Sequence, residues 1–92
     1  MNYLITYDIS DTKKRNKIVK VLESWGYRVN YSVFELDLKP YELDKIVEEL
    51  KLYFDKSDSI RVYSFSADTV AKSYELNSKL PAPFSKETLY VN

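Results

Sequence analysis

The sequence predicts an α+β fold of the ferredoxin-like kind, βαββαβ, with an antiparallel sheet and two helices on one face. Three observations lead there. Apolar residues change period along the chain, from strand-like to helical and back, in that order. Gly26 and Pro40, at the joints between these segments, are residues that stop and start helices. A single long strand-like stretch, residues 27–38, slips its apolar phase by one residue halfway, so it cannot be one strand with one buried face.

The first strand is Tyr3 to Tyr7, rich in aromatic and branched residues on both faces, and it ends at Asp8. Ser10 or Asp11 caps the helix that follows by accepting from its unpaired first-turn amides. Ile18, Val19, Leu22 and Trp25 form the apolar stripe of that helix, with Lys13, Lys14, Lys17 and Lys20 on its other side. Gly26, the single glycine, stands where a left-handed helix terminator belongs. In the next stretch Tyr27, Val29, Tyr31 and Val33 are apolar, then Phe34, Leu36 and Leu38. The slip predicts a bulge or tight turn near Asn30–Ser32 between two antiparallel strands. Pro40 opens a second helix whose buried stripe is Leu43, Ile46, Val47, Leu50 and Phe54, and Ile60 to Phe65 is the fourth core strand. Residues 1–66 thus make a core, and 67–92 a tail of the same single domain, with Pro81, Pro83 and a last strand-like run from Glu87 to Val91. A strand so placed adds to a sheet edge, its own or that of a second copy in a homodimer.

Composition narrows the chemistry. The chain has 92 residues, no Cys and no His. Disulfides and the usual zinc sites are thereby excluded, along with the commonest general base. Hydrolysis would have to rest on carboxylates and a hard cation such as Mg²⁺ held through oxygen. Nothing resembles a leader or a membrane span, so a soluble cytoplasmic protein with no membrane partner is expected. Net charge is zero, but unevenly spread: residues 1–34 carry six basic and three acidic side chains, residues 35–58 four basic and eight acidic. A phosphate-facing surface belongs on the first third.

Asp8 is the strongest chemical candidate, because an acid at a strand end is aimed by a rigid element into open space. It reads either as a Mg²⁺ ligand or as a structural residue that caps the following helix or closes a turn. One Asp per chain is a thin metal site, so the metal reading includes a symmetric dimer presenting two copies. Lys13, Lys14, Arg15 and Lys17 crowd a helix N-terminus, where cations oppose the helix dipole. They read as phosphate ligands of nucleic acid or as a solvated face. Arg28 reads as a phosphate contact or as the partner of a carboxylate such as Glu35, and Trp25 and Phe34 read as core or interface residues.

Four stretches in this order, Tyr7-Asp8-Ile9-Ser10, Arg15 to Leu22, Gly26 to Glu35 and Asp58 to Tyr63, resemble the small CRISPR-associated endonuclease (endoribonuclease) family. That family is the universal small partner of the CRISPR adaptation integrase. The resemblance covers about the first three-quarters of the chain, with Asn30 standing where the family would have Gln. It implies a ferredoxin-like homodimer in which Asp8 of each copy binds Mg²⁺ or another divalent cation across the interface. It implies metal-dependent hydrolysis of RNA or DNA in some members, and support of the spacer-integration complex throughout. Arg15, Lys17, Arg28 and Phe34 match positions that serve activity or nucleic-acid binding, and Tyr7 belongs to the strand-ending motif. Alternatives are a non-catalytic DNA-binding scaffold for the integrase, or a toxin-type ribonuclease of the same fold.

Overall fold

A computed structural model describes residues 1–85. The elements run β1 (Asn2–Asp8), α1 (Thr12–Glu23), β2 (Tyr27–Asn30), β3 (Val33–Asp37), α2 (Pro40–Leu50), β4 (Ser59–Phe65) and α3 (Ala67–Ala71). The strands form one sheet in the order β2-β3-β1-β4, with every neighbouring pair antiparallel. This is the order of the ferredoxin-like fold. Each split βαβ half joins its outer strands through a helix, and β1, at the centre, is paired on both edges.

Register sorts the strands into two faces. Ile5 stands opposite Phe34 and Val62, and Tyr3 opposite Leu36, so these side chains share one face. Ile18, Val21 and Leu22 of α1 and Ile46 and Leu50 of α2 pack against it to form the core. Val21, rather than Val19, belongs to the buried stripe of α1. Trp25 lies past the end of that helix, half-buried against the core. Phe54 likewise lies beyond α2 and is exposed.

The phase slip is resolved as expected. Residues 31 and 32 turn between β2 and β3, and a register irregularity between Arg28 and Asn30 absorbs the extra residue. Pro40 is the first residue of α2, after Lys39, whose backbone amide donates to the Glu42 carboxylate at 2.8 Å.

Gly26 corrects an expectation. It has no positive φ, so it is not a left-handed terminator. The reason for glycine is space. A Cβ there would run into the Glu35 carbonyl oxygen and come within 2.7 Å of Leu36 Cγ. Gly26→Ala should therefore push β3 off the end of α1 and cost about 1–3 kcal/mol, the usual range for overpacking. Urea unfolding would measure it, and an unchanged midpoint would count against this reading.

α3 was not foreseen. Ser66 caps it by accepting from the Thr69 amide at 3.1 Å, and the helix is only five residues long. Beyond it the chain returns to the sheet face that the helices leave open. There Phe84 is buried, its ring 5.3 Å from that of Phe65, and its amide donates to Glu35 at 3.0 Å. The expected strand at Glu87–Val91 lies outside the described residues. Burial pushes the Glu35 carboxyl above its ordinary 4.5, against the opposing pull of the Phe84 amide. Folding thus favours the neutral form more than the unfolded chain does. The stability it contributes is complete below pH 4.5 and is lost as pH rises through the folded value. Glu35→Gln should flatten that part of the stability–pH curve, and a curve of unchanged slope would contradict the assignment.

Candidate metal and nucleic-acid site

The alternation of β1 buries Tyr3, Ile5 and Tyr7 and brings Asp8 out into solvent at the strand's end, opposite Ser59 of β4. The helix-cap reading of Asp8 is not what the chain uses. Asp11 caps α1, its carboxylate accepting from the Lys14 amide at 2.9 Å. Asp8 instead lines an open cleft of about 240 Å³ with Tyr7, Ile9, Arg15, Tyr31 and Ser32. Among the described residues no group of three or more acids, histidines or cysteines is placed to hold a metal.

Arg15 reaches into this cleft from the first turn of α1. One guanidinium nitrogen donates to the Ile9 carbonyl at 3.1 Å, and the other approaches the Thr12 hydroxyl at 3.4 Å. A guanidinium carries five N–H donors, so most remain for a phosphate.

Lys13 and Lys17 lie one helical turn apart and line a shallow groove with Asn16 and Lys20. Lys14 points away from them. Its ammonium pairs with Asp55 at 2.7 Å, and that hydrogen bond holds it above its ordinary value. The basic run expected from sequence is therefore divided: Lys13 and Lys17 share a groove that Lys20 extends, and Lys14 ties α1 to the loop before β4.

Arg28 does not pair with Glu35. In the register Arg28 stands opposite Phe34, on the helix-packed face, and Glu35 is on the other. Two of its nitrogens donate to the Tyr31 carbonyl, at 2.7 and 3.3 Å, with the guanidinium over the rings of Tyr31 and Phe34. The Tyr7 hydroxyl donates to the same carbonyl at 2.8 Å. Burial raises the Tyr7 hydroxyl above its ordinary value, against the nearby charge of Arg28, so it stays protonated as a donor. Phe34 itself is fully buried, its ring 6.3 Å from that of Tyr7. Tyr7, Arg28 and Phe34 thus hold the β2–β3 turn as one wall of the Asp8 cleft.

Sequence reasoning passed over Asp58. Its carboxylate accepts from the Ser10 amide and hydroxyl, both at 3.1 Å, and from the Asp55 amide at 2.9 Å. It clasps the loop after β1 to the loop before β4. The signal for it is an Asp three residues after another, a spacing at which a side chain caps its own turn. These bonds, led by that from Asp55, lower the Asp58 carboxyl below 3.8. Its contribution to stability is complete above that value and is lost as pH falls through the folded one. Asp58→Asn should speed amide hydrogen exchange at Ser10 and Asp55; protection equal to wild type would contradict the clasp.

Among the described residues no helix is long and apolar enough to cross a membrane. Residues 1–73 match the family model described as CRISPR associated protein Cas2. The chain is 39% identical over 71 residues to the CRISPR-associated endoribonuclease Cas2 3 of Synechocystis sp., covering 76% of this chain and 77% of that one. Its fold is similar to the crystal structure of Streptococcus pyogenes Cas2 at pH 6.5, with TM-score 0.73 and 32% identity, covering 83% of this chain and 99% of that one. It is also similar to one chain of a partial Cas6-RT-Cas1–Cas2 complex, with TM-score 0.61 and 29% identity, over 92% and 97% of the two chains.

Proposed function

The chain belongs to the CRISPR-associated Cas2 family, and from that premise we propose that it is a divalent-metal-dependent endonuclease acting as a homodimer. The observation that carries this is the position of Asp8: exposed at the end of a central strand, released from capping α1, and facing Arg15 across an open cleft.

One carboxylate per chain is a sparse donor set. Two copies related by a twofold axis would present a pair of Asp8 carboxylates. That pair suits Mg²⁺, which takes few protein ligands and keeps several waters. Bound there, the ion supplies charge stabilisation at phosphorus and an activated water. The chain's own residues do the rest. Arg15 takes a phosphate oxygen beside Asp8, while Lys13, Lys17 and Lys20 neutralise backbone phosphates farther along α1. Tyr7 and Arg28 keep the opposite wall in place through the Tyr31 carbonyl.

A second role is favoured by the likeness to a chain of a Cas1–Cas2 complex: a scaffold that binds the CRISPR adaptation integrase and the DNA to be inserted. Cleavage and scaffolding separate experimentally. Labelled RNA, single-stranded DNA and duplex DNA incubated with Mg²⁺ should yield products from at least one substrate, and none with chelator. No products from any substrate, with integrase binding intact in a pull-down, would leave the scaffold alone.

A further inference from the structure

Tyr31 is tied down through its main chain and left free at its ring. Its carbonyl accepts from Tyr7 and Arg28, and its amide donates to the Asn30 side chain at 2.6 Å. The residue is nonetheless 66% exposed. Large exposed aromatics occur elsewhere, at Tyr41 and Tyr74. Among the described residues Tyr31 is the exposed aromatic that lines the cleft containing Asp8 and Arg15. The Arg28 guanidinium sits 5.3 Å from its ring centre, a cation–π contact that orients the ring without burying it. A backbone fixed at both polar groups and a ring held ready in solvent is a preorganised arrangement, with little side-chain entropy left to lose on binding.

We propose that Tyr31 is a base-stacking platform that receives an unpaired nucleobase of a single strand whose phosphate lies at Asp8 and Arg15. The proposal rests on the nucleic-acid reading above and adds the substrate feature recognised. Stacking needs a splayed base, because in a duplex both faces are already covered by neighbours. The ring does not read base identity, since every base offers a π-face, and it does not distinguish ribose from deoxyribose. Lys13, Lys17 and Lys20, by contrast, read only charge.

The test is fluorescence anisotropy with the full chain and three labelled strands of equal length: ribo, deoxyribo, and a deoxyribo strand made wholly of abasic sites. Ca²⁺ replaces Mg²⁺, so that a cation stays between Asp8 and the phosphate, and a gel confirms that the strands remain uncut. Tyr31→Ala should weaken both base-bearing strands by roughly 5- to 150-fold, the range for one stacked base, and leave the abasic strand unchanged. Tyr31→Phe, which keeps the ring, should bind as wild type. The salt slope should stay that of wild type in both variants, whereas Lys17→Ala should weaken all three strands and lower the slope by about 0.7. Equal losses on abasic and base-bearing strands would reduce Tyr31 to a structural part of the turn. Unchanged affinity in Tyr31→Ala would remove the platform and leave the phosphate site standing. A wild-type chain that binds none of the strands would overturn the nucleic-acid reading and this proposal together.

Discussion

Asp8→Asn is expected to lower the Mg²⁺-dependent cleavage rate by at least about 100-fold while leaving the urea midpoint close to that of wild type. The size follows from the position. Losing an outer partner of a metal ligand already costs about 10- to 100-fold in affinity or activity, and a direct ligand should cost no less. In a dimer the single substitution removes both carboxylates of the shared site. The small effect on stability follows from exposure, since Asp8 is solvent-facing and the capping of α1 falls to Asp11. Asn keeps the size and polarity of the side chain and removes only the charge. A variant that unfolds early would point to a structural Asp8, and one that cuts at the wild-type rate would move the chemistry elsewhere.

The second large effect lies in the core. Phe34→Ala should destabilise the fold by about 3–5 kcal/mol, read from urea unfolding. Phe34 is fully buried on the face of β3 that belongs to the core, so truncation leaves a cavity that its neighbours fill only in part. For a domain whose whole stability is about 5–15 kcal/mol, that is a large share. The ring also supports Tyr7 and Arg28, so the β2–β3 turn should loosen before global unfolding. Faster amide exchange at Tyr31 and Ser32 than in the α2 segment would report this. Activity lost in Phe34→Ala would then trace to lost structure. A loss below about 1 kcal/mol would contradict the packing.

Much of this was legible in the residues. The end of β1 aims Asp8 into solvent once the strand is recognised, and the phase slip at Asn30–Ser32 forces a turn whatever packs around it. These are local signals, carried by a strand end and a change of period. What escaped depended on residues distant in sequence. Gly26 was readable as a residue that needs to be glycine, but the reason, the approach of Glu35 and Leu36, comes from β3 folding back against the end of α1. Arg28 misses Glu35 because the register puts the two on opposite faces of the sheet, and its bonds to the Tyr31 carbonyl come from the turn that follows. Asp58 and Ser10 are 48 positions apart and meet only because β4 lies beside β1. Lys14 left the basic row for the same kind of reason, drawn to Asp55 across 41 positions.

The central claim is a divalent site shared between two copies through Asp8, and the stoichiometry of Mn²⁺ bound to the intact protein tests it most directly. Electron paramagnetic resonance would count bound ions while sedimentation fixes the oligomeric state. One ion is expected for every two chains of a dimer, lost in Asp8→Asn although the dimer persists. One ion for every chain, or binding that survives Asp8→Asn, would contradict it.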